Sequence, residues 1–196
     1  MTATQTTRMP RITINAPVVL GFVLICVLAQ VMGTLTGGAS TWAFFACYRG
    51  PLNDPFTYLR LITHAFGHAG WDHLIGNMSY ILLLGPLLEE KYGSLTLAEI
   101  MAASALVCGI VNNVFFPTTA ITGASGVVFT FILLSSVTSL RQGELPLTFI
   151  LVSVLYIGYQ VYAALFVGGN IGYLSHILGG AIGGAFGFSL AGGSKS

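Results

Sequence analysis

Charged side chains are scarce in this chain of 196 residues. Only 7% of the residues are Asp, Glu, Lys or Arg, whereas 55% are hydrophobic, and a soluble domain carries roughly a quarter charged residues. Too few charges remain to cover a water-exposed surface, so the composition favours an integral membrane protein. The net charge is +1 and the basic residues form no run, which argues against nucleic acid as a partner.

Cysteine and metal-binding motifs are also sparse. The three cysteines, Cys26, Cys47 and Cys108, cannot form a closed disulfide framework. His64 and His68 have the i, i+4 spacing of a metal-binding pair. The glutamate of an H-E-x-x-H motif is missing, however, and no carboxylate clusters with them. We therefore expect neither a metal ion nor another cofactor, and a metalloprotease or metal transporter is a weaker alternative.

Long apolar segments dominate the sequence. A helix needs about 20 residues to cross the hydrocarbon core. The second and fourth segments are shorter and are expected to stop at a cavity. The sequence predicts an all-α, polytopic membrane protein, with one six-helix transmembrane domain over 15–192, a short N-terminal tail over 1–14 and a C-terminal tail over 193–196. The six segments lie at about 15–36, 73–88, 95–116, 125–140, 146–167 and 172–192.

The distribution of Lys and Arg predicts the orientation. With the N-terminus in the cytoplasm and six crossings, most basic residues fall on the cytoplasmic side, as the positive-inside rule requires. Both termini are therefore expected in the cytoplasm. Residues 37–72, between the first two spans, are rich in aromatic side chains, which are typical of the membrane interface. We expect a long first loop that lies along or partly within the outer leaflet, with an ordinary extracytoplasmic loop as the alternative.

Polar side chains begin the even-numbered helices. His73 and Asn77 lie at the start of the second helix, Ser125 starts the fourth, and His176 lies near the start of the sixth. Because even-numbered helices run from outside to inside, all four residues are expected in the same leaflet. Polar groups within a membrane are costly and are candidates for a functional site.

Ser125 is the candidate nucleophile. It lies between Gly123-Ala124 and Gly126, at the start of an apolar run. On the first turn of a helix, free backbone N–H groups and the positive end of the helix dipole can stabilise an oxyanion. Flanking glycines allow a substrate backbone to approach closely. The expected oxyanion hole combines the Ser125 N–H with the side chains of Asn77 and His73.

A serine hydroxyl needs a general base at neutral pH, and His176 is the candidate. Gly179 and Gly183 follow on the same helix and permit close packing against the helix of Ser125. No acidic third member is apparent, so we expect a Ser–His dyad. Phe129, one turn after Ser125, is expected to pack against the imidazole.

With these residues in place, the chain resembles the rhomboid intramembrane serine proteases over about residues 55–190. The resemblance implies a six-helix bundle whose water-filled active site opens to the extracytoplasmic side. It also implies cleavage of transmembrane segments of single-span or polytopic membrane proteins in the lipid bilayer, by the dyad and oxyanion residues named above. Four strings support it: His64-Ala-Phe-Gly-His68, His73-Leu-Ile-Gly-Asn77, Gly123-Ala-Ser-Gly126 and His176-x-x-Gly179-x-x-x-Gly183.

Two positions depart from the pattern of that family. Leu59-Arg60 stands where members often have Trp-Arg, and Phe129 stands where a tyrosine is common. A catalytically silent rhomboid-like protein that binds membrane clients is the main alternative. A small-solute transporter ranks lower because the two halves show no obvious internal repeat. The sequence contains no signal for an oligomeric state.

Overall fold

The computed structural model describes residues 13–140 and 147–162, and the single positions 166, 177, 181, 185 and 189. Regular secondary structure in these residues is helical, apart from one bridge between Cys47 and Ile121, as the all-α prediction requires. The helices are α1 (Pro17–Leu35), α2 (Ala39–Phe44), α3 (Pro55–Thr63), α4 (Trp71–Tyr92), α5 (Ser94–Phe115), α6 (Ser125–Leu140) and α7 (Leu147–Tyr162).

Helix α1 has one buried face and one exposed apolar face. Pro17 occupies its first turn, where a missing N–H costs nothing. Val19, Phe22 and Cys26 are buried at helical spacing, whereas Leu24 is more than half exposed. An apolar residue on the exposed face suits contact with lipid. Among the described helices, α1 and α5 are long and apolar enough to cross a membrane.

Helix α4 is longer than the sequence predicted. It has 22 residues and continues through the charged residues at its end to Tyr92, so the expectation of a short second helix over 73–88 was wrong. That expectation ended the helix at the first charge. Glu89 is instead buried, because it finds hydrogen-bond donors on neighbouring helices and the helix can therefore continue past it.

Glu89 joins the ends of three helices. Its carboxylate accepts hydrogen bonds from the backbone N–H groups of Val18 and Val19, both at 3.0 Å. The Ser94 hydroxyl donates to the same carboxylate at 2.7 Å. No side chain of α1 itself caps its first turn, so Glu89 satisfies donors that the start of a helix leaves open. The beginnings of α1 and α5 therefore lie at the same end of the protein as the end of α4.

Helix α4 packs between α1 and α6 at Gly85. A Cβ atom at this position would lie 2.7 Å from Val19 Cγ2 and 3.2 Å from Phe131 Cε2. Val19 and Phe131 are fully buried, so neither has space to move away. The absence of a side chain allows the three helices to approach closely, as small residues do in membrane proteins.

The first loop contains α2 and α3 and is held in place by Arg60. This side chain is 3% exposed. Its guanidinium donates to Asp54 at 3.2 Å and to the Ala43 carbonyl at 3.3 Å, and it lies 4.3 Å from the centre of the Tyr48 ring. The loop that departs from the family pattern at Leu59 is thus anchored by the adjacent arginine.

Part of the predicted topology lies outside the described residues. The sixth span, predicted over 172–192, is described only at positions 177, 181, 185 and 189. Of the predicted tails over 1–14 and 193–196, only residues 13 and 14 are described. For the fifth span, predicted over 146–167, the described helix is Leu147–Tyr162. The predicted start and end of the fourth span, 125–140, agree with α6.

Candidate active site

The segment that leads into α6 is held by hydrogen bonds from elements distant in sequence. Ile121 and Cys47 exchange two backbone hydrogen bonds, each 2.9 Å long. Two residues later, the Gly123 N–H donates to the His64 carbonyl at 2.9 Å. Ser125 then begins the helix. Two parts of the first loop, at Cys47 and at His64, therefore fix the backbone that presents Ser125.

Gly123 brings this segment against α4. It has a φ of 114°, in the region that favours glycine. A Cβ atom here would lie 2.6 Å from His73 Cε1 and 3.4 Å from Asn77 Nδ2. The side of Gly123 that would carry a side chain therefore faces His73 and Asn77, the two side chains that the sequence assigned to an oxyanion hole. The prediction that α4 and α6 present these residues at the same end of the protein is in agreement with this contact.

Asn77 has a hydrogen-bond donor with no partner. Its side chain is 6% exposed, and Nδ2 makes no hydrogen bond within the described structure. A buried amide without a partner costs about 1–3 kcal/mol, and such groups are rare in folded proteins. The donor lies beside Gly123. The site therefore holds an amide N–H able to bind an oxygen atom placed near Ser125.

His68 supports the same backbone from the loop before α4. Its Nε2 accepts a hydrogen bond from the Ala124 N–H at 3.4 Å, and its Nδ1 donates to the Phe66 carbonyl at 3.2 Å. This pattern requires a neutral ring with the proton on Nδ1. Burial, assisted by the neighbouring His73, lowers the pKa of His68 to about 3. The ring also stacks edge-on against His73, with 5.1 Å between centres.

The spacing of His64 and His68 does not reflect a metal-binding helix turn. Helix α3 ends at Thr63, so the two histidines lie in the loop that follows. His64 Nε2 donates to the Ala105 carbonyl at 3.0 Å, and burial lowers its pKa to about 4. Within the described part of the chain, no three His, Cys, Asp or Glu side chains are grouped so as to hold a metal ion.

Ser125, Gly126 and Phe129 are all buried at the start of α6. A Cβ atom on Gly126 would collide with the sulfur of Cys108 on α5. The sequence suggested that this glycine admits a substrate, but the structure gives it a packing role. Further along, the hydroxyl groups of Ser104 on α5 and Thr130 on α6 share a hydrogen bond of 2.9 Å, which holds the two helices together.

The proposed base helix lies outside the described residues. His176, Gly179 and Gly183 all belong to this part of the chain. The geometry of the predicted dyad, and the predicted contact between Phe129 and the imidazole, therefore stay predictions.

Comparison with known families agrees with this geometry. A sequence model of the Rhomboid domain matches residues 55–192, well over half of the chain. This chain belongs to the rhomboid family. Its described helices are those of a rhomboid domain, a helical membrane bundle, and the site above lies within the matched region.

Individual rhomboid relatives are distant. Rhomboid-related protein 2 of Mus musculus is 26% identical over 162 residues, covering 72% of this chain and 53% of the mouse protein. Rhomboid-like protein 11, chloroplastic, of Arabidopsis thaliana is 33% identical over 78 residues, or 39% of this chain and 28% of that protein. Rhomboid protease GlpG of Klebsiella pneumoniae is 29% identical over 99 residues, or 50% and 36%. The chain thus spans about half the length of these rhomboids, or less.

Sequence reasoning missed several residues that shape this rhomboid site. Cys47 was left without a role, yet its backbone pairs with Ile121. Arg60 was noted only as part of the Leu59-Arg60 pair, and its buried hydrogen bonds to Asp54 and the Ala43 carbonyl were not foreseen. The backbone carbonyl of His64, which accepts from Gly123, left no signal in the sequence because any residue type can supply it.

Proposed function

We propose that this rhomboid is an intramembrane serine endopeptidase that cleaves transmembrane segments of other membrane proteins. Ser125 is the nucleophile and His176 the general base. The observation that supports the proposal most directly is the buried, unpartnered Asn77 amide beside the backbone that leads to Ser125. A donor left open at that point has a clear use in acyl transfer, because negative charge develops on an oxygen there.

In the proposed reaction, the Ser125 oxygen forms a bond to the scissile carbonyl carbon while its proton passes to His176. The carbonyl oxygen becomes an oxyanion, which accepts hydrogen bonds from the Ser125 N–H, the Asn77 amide and the His73 ring. Preorganised donors of this kind are each worth about 2.7–4 kcal/mol of barrier. The contact of Gly123 with both α4 side chains supports their placement.

Collapse of the intermediate breaks the carbon–nitrogen bond. His176 gives its proton to the departing amine, and an acyl group stays on Ser125. Water then attacks this ester, its proton passing to His176 and then to the serine oxygen. Because no acidic residue accompanies the pair in the proposal, His176 acts without a third member.

For the topology we propose six crossings, with both termini in the cytoplasm and the site open to the extracytoplasmic side. Glu89, which joins the start of α1 to the end of α4, supports placing these two ends on one side of the membrane. His73 lies 16 residues earlier on α4, about 24 Å along the helix. The domain boundaries at 15 and 192 are part of the same proposal.

A catalytically silent, client-binding rhomboid is the second candidate, because relatives this distant do not establish activity. The test is cleavage of a single-span reporter by purified protein in liposomes. Wild type is compared with Ser125→Ala, His176→Ala and Asn77→Ala. We expect no product from the first two variants and a rate lowered about 100-fold or more by the third.

Labelling by a fluorophosphonate separates the two candidates. An active rhomboid is labelled at Ser125, and Ser125→Ala is not. Folded wild-type protein that neither cleaves several reporters nor reacts with the probe would refute the protease proposal and favour the client-binding alternative.

A further inference from the structure

A polar cleft adjoins the candidate active site. It lies between the end of α1, α2 and the segment that leads to Ser125, and its volume is about 470 Å³, within the usual range for ligand pockets. Its polar lining residues include Gln30, Thr34, Thr41, His68 and Thr122. Such a set of hydroxyl and amide groups is unusual within an apolar membrane protein, where polar side chains mark functional sites.

Gln30 presents a side-chain amide to the cleft. It lies on α1, is 7% exposed and lines the cleft. Its backbone carbonyl accepts from the Thr34 hydroxyl at 2.9 Å, but its side-chain amide makes no hydrogen bond to any described residue. Its amide offers two donor hydrogens and two acceptor sites. The Gln30 amide is not among the fully buried side-chain groups that lack a partner in the described residues, so it is accessible from the cleft. A polar group that enters the cleft can therefore pair with it.

The cleft is within reach of a peptide bound at Ser125. Thr122 precedes Ser125 by three residues, so their Cα atoms are at most about 11 Å apart. An extended substrate advances about 3.3 Å per residue. A side chain roughly three positions from the scissile bond can therefore enter the cleft. His68 links the two places directly, because it lines the cleft and also accepts from the Ala124 N–H.

The occupant is expected to be neutral. No lining residue among those described is a carboxylate, a lysine or an arginine. Both ring nitrogens of His68 are engaged by the backbone. A charged group would therefore enter without a counter-ion and would lose part of its hydration, which is unfavourable. An amide or hydroxyl can pair with the Gln30 amide at much lower cost.

We propose that this cleft is a specificity subsite that binds an amide or hydroxyl side chain of the substrate (Asn, Gln, Ser or Thr) within about three residues of the scissile bond. The proposal rests on the proteolytic function above. It names Gln30 as the residue that recognises the side chain.

The test compares single-span reporters that carry either Asn or Leu at each position from three before to three after the cleavage site. For wild type, kcat/KM is expected to favour Asn at one of these positions. Gln30→Met keeps the length of the side chain and removes the amide, so the Asn-to-Leu ratio should fall about five- to tenfold, as expected for one lost hydrogen bond. Gln30→Asn should retain part of the preference.

Leu28→Ala is the matched control, since Leu28 is an exposed residue on the same helix and its change should leave the ratio as in wild type. An equal ratio in wild type and Gln30→Met, at every position, would overturn the proposal and leave water as the occupant of the cleft.

Binding of the same reporters in a Ser125→Ala background gives a readout that does not need cleavage. The Asn reporter is expected to lose about five- to tenfold in affinity on Gln30→Met, whereas the Leu reporter should not. If this change in affinity occurs but the wild-type protein never cleaves, Gln30 recognises a side chain of a bound client and the protease proposal fails. If the protein cleaves but residue 30 changes neither the Asn-to-Leu ratio of kcat/KM nor the Asn-to-Leu ratio of affinities, the subsite proposal fails and the protease proposal stands.

Discussion

Replacing Gly123 by alanine tests the contact on which the candidate site depends. The backbone at this position has a φ of 114°, and a non-glycine residue held in such a conformation costs about 1–3 kcal/mol. Gly93, between α4 and α5, also has a positive φ, of 82°, but a Cβ atom there would meet nothing within 4 Å. Gly93→Ala therefore carries the backbone strain alone and is the matched control.

Only Gly123→Ala adds a collision inside the site. The new methyl group would lie 2.6 Å from His73 Cε1 and 2.8 Å from Nε2, distances at which one of the groups must move. His73 is partly exposed, so we expect its ring to be the group that moves. The displaced ring would then no longer lie beside Asn77 in the oxyanion hole. Loss of one oxyanion donor costs about 2.7–4 kcal/mol, or about 100- to 1000-fold in rate.

The assay is reporter cleavage by the two variants, with thermal stability measured in the same detergent. Both alanines should lower the melting temperature because both positions have a positive φ, and Gly123→Ala should lower it at least as much as Gly93→Ala because of the added collision. Only Gly123→Ala should lose about 100-fold or more in kcat/KM. If Gly123→Ala keeps activity within about threefold of Gly93→Ala, the contact of Gly123 with His73 and Asn77 does not position catalytic groups, and the reasoning fails.

Three further predictions concern stability. Glu89→Ala should destabilise the protein by about 2–4 kcal/mol, because three hydrogen bonds to a buried carboxylate are lost; an unchanged unfolding free energy would contradict this. Gly85→Ala should lower the free energy of unfolding by about 1–3 kcal/mol through overpacking. The control Gly76→Ala, on the same helix, meets open space and should raise it by up to about 1 kcal/mol through helix propensity. Equal shifts in melting temperature for the two variants would refute the packing argument. Burial lowers the pKa of His64 to about 4 and of His68 to about 3 from 6.5, so the unfolded chain binds more protons and stability should fall as pH decreases from about 6.5 towards 4, which melting curves at pH 7 and pH 5 would detect.

Much of the fold and part of the site were readable from sequence because membranes limit the options. Apolar runs predicted α1, α5 and α6 to within a few residues, and the start of α6 at Ser125 agreed with its prediction. The expectation that α4 and α6 begin at the same end of the protein agrees with the closeness of Gly123 to His73 and Asn77, whereas the six crossings and the leaflet stay predictions.

Other features depend on partners that no local pattern specifies. The length of α4 was underestimated because Glu89 looks like the water-exposed end of a helix until its donors on α1 are known. Gln30 reads as a lone polar residue in an apolar run, and only the fold places it beside His68 and Thr122. Backbone contacts such as that between Cys47 and Ile121 are equally invisible, because they do not depend on the type of side chain.

The way α1 is capped has a consequence for biosynthesis. Its first N–H groups are satisfied by a residue 70 positions later in the chain. At roughly 5–20 residues per second, a ribosome needs about 4–14 s to add those positions. During that interval the start of α1 must be solvated by water or lipid headgroups. We therefore expect the nascent first helix to adjust its depth freely in the bilayer, and to become fixed only when the Glu89 region emerges and packs against it.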